Sequence, residues 1–236
     1  MKRHIPNIIT SCNLLCGALA VFMATQNAFD WAFALVCAGA FFDFFDGLTA
    51  RALGVSGPLG IQLDSLADDI TFGLAPAMVL TCYLRPVLGW WCLLGLLMAA
   101  FSALRLAKFN IDERQTTSFI GLATPANALF WCSLCCMPYA ITRPVWMPWV
   151  MLALSLLSCW LLISEIPFFS LKFHDFTWHN NSTRYLFLIG CLVLIACCLI
   201  EAIRFRMLPF ALAAGAACIV WYVLINLIDN IVRKRA

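Results

Sequence analysis

Four of the five aspartates in residues 41–70, a strongly apolar part of the chain, have the spacing of a shared site. They are Asp43, Asp46, Asp64 and Asp68. A carboxylate in the hydrocarbon of a membrane costs several kcal/mol unless a cation neutralises it, so four of them require a shared partner. Arg51 is the only lysine or arginine in this stretch, and one cation cannot neutralise four acids. The pattern therefore predicts a site for a divalent metal ion.

The spacing of the aspartates predicts two helices that face each other. Gly54, Gly57 and Pro58 end one helix and allow the next to start. At about 100° per residue, the aspartates on each side of this break share a helix face with small residues. The two faces consist of Asp43, Asp46, Gly47 and Ala50, and of Gly60, Asp64 and Asp68. In an antiparallel hairpin all four carboxylates converge, with Asp46 level with Asp64, and Asp43 level with Asp68 about one turn deeper.

The composition indicates which elements position these residues. Of 236 residues, 64% are hydrophobic and 11% are charged, whereas about 25% are charged in a typical soluble domain. Apolar runs of about 20 residues predict an all-α, polytopic transmembrane helix bundle that forms a single domain over residues 1–236. We place eight spans near residues 8–27, 31–52, 60–82, 87–107, 120–141, 146–165, 185–203 and 208–229.

The distribution of basic residues predicts the orientation in the membrane. Eight spans put both termini on one side, and only four of the fifteen basic residues fall on the opposite side. Those four are Arg85, Arg143, Arg204 and Arg206. Because cytoplasmic loops are enriched in basic residues, the termini and the metal site are expected at the cytoplasmic face of the cell (inner) membrane. The net charge of +3 fits anionic lipid headgroups and gives no reason to expect nucleic acid.

Two further polar pairs have spacings that suit a binding site. Asn7 and Thr10 are three residues apart on the first span and can share a face, as ligands or as interfacial polar residues. Arg105 and Lys108, also three apart, end the fourth span on the same predicted side as the acidic hairpin. They suit an anionic group such as a diphosphate or an amino-acid carboxylate, or they anchor the helix by snorkelling.

The aspartate pattern resembles the signature of the CDP-alcohol phosphotransferases, D-x-x-D-G-x-x-A-R followed by G-x-x-x-D-x-x-x-D. The matching residues are Asp43, Asp46, Gly47, Ala50, Arg51, Gly60, Asp64 and Asp68. Three longer segments are similar to the bacterial-type phosphatidylserine synthases within that superfamily. They read IPNIITSCNLLCG, QLDSLADDITFGLAPA and KFNIDERQTTSFIGLATPANA.

The resemblance implies a role for each matched residue. It implies that Asp43, Asp46 and Asp64 bind two ions of Mg²⁺ or Mn²⁺, and that Asp68 shares in ligation and acts as general base. The residues implied to bind the CDP-lipid are Asn7, Thr10, Gly47, Ala50, Arg51, Ser56 and Gly60. Arg105 and Lys108 are then expected to bind serine.

The implied reaction moves the phosphatidyl group of CDP-diacylglycerol to the hydroxyl of L-serine, which gives phosphatidylserine and CMP, in a homodimer among membrane lipids. One alternative is the same chemistry with glycerol 3-phosphate or inositol phosphate, whose extra phosphate should demand more basic residues than Arg105 and Lys108. Another is a divalent-cation channel or transporter with the acidic cluster as its ion path. That function gives no reason for the small Gly47 and Ala50 or for Arg51.

Overall fold

Ten α-helices make up most of residues 4–55, 57–112, 119–137, 144–168 and 178–235, the part of the chain that the computed structural model describes. They are α1 (His4–Thr25), α2 (Phe29–Leu53), α3 (Pro58–Asp68), α4 (Ala75–Leu88), α5 (Leu97–Ile111), α6 (Thr124–Cys135), α7 (Met147–Ile163), α8 (Trp178–Phe205), α9 (Leu208–Leu212) and α10 (Ala214–Arg235). A π-helix, Asp69–Leu74, joins α3 to α4, and a 3₁₀-helix, Gly89–Leu96, joins α4 to α5. Two short strands, β1 (Phe119–Ile120) and β2 (Pro167–Phe168), pair antiparallel.

The predicted all-α membrane bundle is confirmed by the length and composition of these helices. Within the described ranges, five helical stretches are long and apolar enough to cross a membrane. One of them, Pro58–Ile111, has 54 residues, far more than the roughly 20 that one crossing needs. This stretch turns back at Gly89, whose φ is 52°. The turn is evident because the Thr81 hydroxyl donates to the Cys92 carbonyl at 3.4 Å. Eleven residues of straight helix would separate those two positions by about 16 Å. The count of eight spans stays a prediction.

The break between the two aspartate-bearing helices has a clear local cause. Gly54 adopts a left-handed conformation with φ of 62°, and its N–H contacts the carbonyls of Ala50 and Arg51 at the end of α2. Pro58 begins α3, where its missing N–H costs nothing because the first helical N–H groups have no partner in the helix. Asp43 and Asp46 thus lie on α2, and the other two aspartates lie on α3.

Small residues let α1 approach the start of the π-helix very closely. The buried residues of α1 recur every three or four positions and are mostly small; besides Pro6 they are Thr10, Asn13, Gly17, Ala20 and Ala24. A Cβ atom on Gly17 would stand 2.7 Å from the Cα of Thr71, and one on Gly39 of α2 would stand 2.5 Å from its Cγ2. Thr71 is therefore enclosed between α1 and α2, which fixes the chain three residues beyond Asp68.

Replacing Gly17 with alanine is expected to lower the free energy of unfolding by about 1–3 kcal/mol, the usual cost of overpacking a tight interior. The added methyl group would meet backbone atoms of Thr71, which cannot move aside as a side chain would. Thermal unfolding of the purified protein in detergent measures the effect. Ala18→Val is the matched control, since it adds two carbon atoms at an exposed position of the same helix. Equal melting temperatures for the two variants would contradict this account of the packing.

A smaller hydrophobic cluster holds α7, α8 and α10 together next to the strands. Its buried members are Leu122, Leu162, Phe168, Phe187, Tyr222 and Ile225. Gly121 adopts φ of 76°, and its N–H donates to the Ile166 carbonyl at 2.9 Å. A Cβ on Gly121 would meet the Leu162 carbonyl oxygen at 2.6 Å, so only glycine allows the chain to pass this close to the end of α7. The cluster places Tyr222 and Ile225 of α10 with Leu162 at the end of α7.

Candidate active site

Three aspartates from two helices come together in one acidic cluster. Asp43 of α2, and Asp64 and Asp68 of α3, each offer a carboxylate oxygen, and these oxygens all lie within 4.8 Å of one another. The negative charges of Asp43 and Asp64 both act on Asp68. The Asp64 Oδ1 atom is buried and has no hydrogen-bond partner within the described part of the chain. Carboxylate oxygens at this separation fit a hard divalent cation, which would satisfy them and remove their repulsion.

Asp46 lies beside this acidic cluster but points toward α1. Its Oδ2 atom accepts a hydrogen bond of 2.6 Å from the Thr10 hydroxyl, and the residue is 6% exposed. The charge of Asp46 still acts on Asp64. The sequence led us to expect four carboxylates in one small volume, whereas the structure brings three together and holds the fourth through Thr10. The role of Asp46 as a metal ligand stays a prediction.

A cleft with an empty volume of about 490 Å³ opens next to the acidic cluster, between α1, the end of α2 and the start of α3. Asp46 and Asp64 both line it. Five of the seven residues expected to bind the CDP-lipid line it as well: Asn7, Thr10, Gly47, Ala50 and Gly60. Arg51 is exposed in the last turn of α2, and Ser56 lies outside the described residues. The cleft thus brings the start of α1 together with the distant turn between α2 and α3.

Two glycines of this cleft leave room for a ligand and are not needed for helix packing. A Cβ on Gly47 would meet nothing closer than a guanidinium nitrogen of Arg51, at 4.0 Å. A Cβ on Gly60 would stand at an ordinary contact distance of 3.6 Å from the Asn7 Oδ1 atom. Gly17 behaves differently, because a Cβ there would collide with backbone atoms. The open space over Gly47 is therefore available to a bulky group beside the carboxylates.

Asn13 contacts the acidic cluster, a role that the sequence analysis did not assign to it. Its Nδ2 donates to the Asp68 Oδ1 at 3.0 Å, and its carbonyl accepts from the Thr71 hydroxyl at 2.9 Å. It is completely buried. The signal that could have identified it is its position three residues after Thr10, on the same face of α1. Asn13 therefore orients Asp68, and Thr10 orients Asp46.

The region from α1 to β2 matches a known protein family. The model of the CDP-alcohol phosphatidyltransferase family covers residues 3–169. The chain belongs to this family. The acidic cluster and the cleft of this CDP-alcohol phosphatidyltransferase lie inside the matched region, and α8, α9 and α10 lie beyond it.

Several curated relatives of this phosphatidyltransferase carry the name CDP-diacylglycerol–serine O-phosphatidyltransferase. The one from Bacillus subtilis is 38% identical over 126 residues, which cover 52% of this chain and 70% of that protein. The one from Helicobacter pylori is 36% identical over 130 residues, 52% of this chain and 54% of that protein. The one from Mycobacterium leprae is 32% identical over 173 residues, 69% of this chain and 57% of that protein. The chain thus spans little more than half of the latter two.

A second cavity of the phosphatidyltransferase, with an empty volume of about 800 Å³, contains Arg105 and Lys108. Arg105 is 8% exposed, so it does not extend to water as a snorkelling anchor would. Its Nη1 donates to the Thr124 hydroxyl at 3.2 Å, and its guanidinium lies 5.5 Å from the centre of the Phe109 ring. Its positive charge acts on Asp68. Asp112 and Glu165 also line this charged cavity, so it has carboxylates as well as cations, and it shares no lining residue with the cleft.

Proposed function

We propose that this protein transfers the phosphatidyl group of CDP-diacylglycerol to the hydroxyl of L-serine, releasing CMP and leaving phosphatidylserine in the membrane. The observation that carries the proposal is the cluster of Asp43, Asp64 and Asp68 beside a cleft left open by Gly47. Such an arrangement suits a diphosphate attached to a nucleotide. The choice of serine is supported by the names of the relatives, all of which state this acceptor.

The CDP end of the donor is proposed to lie in the cleft. Gly47, Ala50 and Gly60 give the nucleotide access to the helix surfaces, and Arg51 and Ser56 at the turn contact the diphosphate. Asn7 and Thr10 complete the cytidine end. Two ions of Mg²⁺ or Mn²⁺, held by Asp43, Asp64 and Asp68 with Asp46, would neutralise the diphosphate and polarise the phosphoryl group.

Asp68 is proposed to be the general base. Asn13 holds its Oδ1 atom, which leaves Oδ2 to take the proton of the serine hydroxyl. The serine oxygen then forms a bond to the phosphorus of the phosphatidyl group, and the bond from that phosphorus to the CMP oxygen breaks. Arg105 and Lys108 bind the carboxylate of serine. The charges of Arg105 and Asp68 act on each other, which supports a position for serine between the charged cavity and the acidic cluster.

We further propose that the site opens to the cytoplasm and that the chain acts as a homodimer in the cell (inner) membrane, with residues 1–236 forming one domain. The unequal distribution of basic residues supports this orientation. With eight spans, both termini lie on the cytoplasmic side.

The acceptor is tested by giving the purified protein CDP-diacylglycerol, Mn²⁺ and either labelled L-serine or labelled glycerol 3-phosphate. We expect labelled lipid and CMP from serine at a rate at least about tenfold higher than from glycerol 3-phosphate, because among the described residues that line the charged cavity only Arg105 and Lys108 can pair with its phosphate. Lipid labelled only from glycerol 3-phosphate would reject serine as the acceptor. Metal flux into vesicles without any CMP release would favour the ion-channel alternative.

A further inference from the structure

An apolar groove runs between α6, α7 and α10, and of its two buried polar side chains, Asn127 and Ser158, only Ser158 has a hydrogen-bond partner among the described residues. The groove has an empty volume of about 590 Å³ and is lined mainly by leucine, isoleucine, valine and phenylalanine. Asn127 also lines it and is 1% exposed. Among the described residues, neither its Nδ2 nor its Oδ1 has a hydrogen-bond partner. An unpaired buried amide costs about 1–3 kcal/mol, so this groove suits a mostly apolar ligand that carries a hydrogen-bonding group.

The groove lies next to the charged cavity, farther along α6 and α7 from the end of the bundle that holds Arg105 and Lys108. Leu162 lines the cavity and its neighbour Leu161 lines the groove. On α6, Thr124 accepts a hydrogen bond from Arg105 in the cavity wall, and Asn127 follows three residues later. Three residues correspond to about 4.5 Å along a helix. From the charged cavity inward along the helices, the order is therefore charged side chains of both signs, an amide, and an apolar groove that ends near Leu154 of α7.

This order matches the chemistry of a glycerophospholipid. Its phosphate lies at the surface, its ester carbonyls lie several ångströms deeper, and its acyl chains follow. The headgroup of phosphatidylserine carries a phosphate and a carboxylate, which complement Arg105 and Lys108, and an ammonium group, which complements Asp112 and Glu165. An ester carbonyl can accept a hydrogen bond from the Asn127 amide, and an acyl chain can cover the apolar walls.

We propose that this groove holds one acyl chain of the phosphatidyl group, and that the Asn127 Nδ2 donates a hydrogen bond to the ester carbonyl of that chain. The inference rests on the proposed function, because it takes the bound lipid to be the phosphatidyl group that the reaction transfers. It assigns selection of the lipid tail to α6, α7 and α10, and α10 lies outside the region that matches the family.

Filling the deep end of the groove tests the position of the acyl chain. Leu154→Trp adds bulk to a residue that lines the groove and is 42% exposed. Leu156→Trp is the matched control, because Leu156 is 41% exposed on the same helix and does not line the groove. Turnover with serine is measured for two forms of CDP-diacylglycerol, one with two oleoyl chains and one with two hexanoyl chains. We expect Leu154→Trp to lower kcat/KM for the long-chain lipid about tenfold more than for the short-chain lipid, and Leu156→Trp to change neither. Equal effects of the two variants would overturn the proposal.

The role of Asn127 is tested with lipids that differ in one carbonyl group. The wild-type protein should favour ester-linked over ether-linked CDP-lipid about threefold to tenfold, the usual range for one neutral hydrogen bond, and Asn127→Leu should abolish this preference. A loss of folding would reduce activity toward both lipids equally, so the ratio isolates the hydrogen bond. An unchanged ratio in Asn127→Leu would overturn the assignment.

Failure of the proposed function would give a different result, because the wild-type protein would then turn over neither lipid with serine. In that case, native mass spectrometry with dioleoyl phosphatidylserine still tests whether the groove holds an acyl chain. Retention of the lipid by the wild-type protein and Leu156→Trp, with at least about tenfold less retention by Leu154→Trp, supports the proposal. Equal retention by both variants overturns it.

Discussion

Replacing Asp68 with asparagine is expected to lower serine-dependent CMP release by about 10²–10⁴-fold, the range usually contributed by a general base. The binding of CDP-diacylglycerol should change much less. Asparagine keeps an oxygen that can accept the hydrogen bond from the Asn13 Nδ2, and the carboxylates of Asp43 and Asp64 remain in place. The loss of activity is therefore expected to come from slower proton removal from serine. CMP release under saturating serine, and equilibrium binding of the CDP-lipid in detergent, measure the two effects separately.

Asp30→Asn is the control for this variant. Asp30 lies exposed in the first turn of α2, thirteen residues from Asp43, which corresponds to about 20 Å along the helix. It carries the same chemical change without access to the site, so its activity should equal that of the wild-type protein. Full activity of Asp68→Asn would show that another group removes the proton.

Replacing Asp64 with asparagine is expected to abolish turnover and to lower the affinity for Mn²⁺ at least about tenfold. The Asp64 Oδ1 atom has no hydrogen-bond partner among the described residues, so the change breaks no contact that the structure shows within the protein. It removes one of three carboxylates whose oxygens lie within 4.8 Å of one another. Titration followed by Mn²⁺ electron paramagnetic resonance measures the affinity. Treatment of the wild-type protein with EDTA should likewise stop turnover, and added Mn²⁺ should restore it.

The stability of the Asp64→Asn variant distinguishes a metal site from a structural acid. Without metal, the three carboxylates repel one another in a medium of low dielectric constant, so removing one charge should leave the melting temperature equal or higher. With saturating Mn²⁺ the order should reverse, because the wild-type protein gains more from binding the ion. A variant that melts lower than the wild-type protein even in EDTA would indicate that Asp64 serves the fold.

The aspartate-bearing hairpin could be predicted from the sequence because its causes are local. The period of the helix decides which residues share a face, and Gly54 and Pro58 decide where α2 ends and α3 begins. Membrane insertion likewise follows from the apolar composition. The meeting of Asp43 with Asp64 and Asp68 needs only these local features and an antiparallel return of the chain.

The contacts made by α1 could not be predicted in this way. The orientation of Asp46 toward Thr10, and the bond from Asn13 to Asp68, depend on how closely α1 approaches α2 and α3. That distance is set by Gly17 against Thr71, two residues far apart in the sequence whose contact has no periodic signal. The pairing of β1 with β2 is equally long-range and involves two residues on each strand, too few to form an alternating pattern.

The most direct test of the central claim is anomalous X-ray scattering from crystals of the protein grown with Mn²⁺ and a CDP-lipid. The account predicts manganese peaks between the carboxylates of Asp43, Asp64 and Asp68, with the diphosphate of the lipid bound to the same ions in the cleft above Gly47. Manganese found only elsewhere, with the CDP-lipid bound and these three carboxylates free of metal, would contradict it.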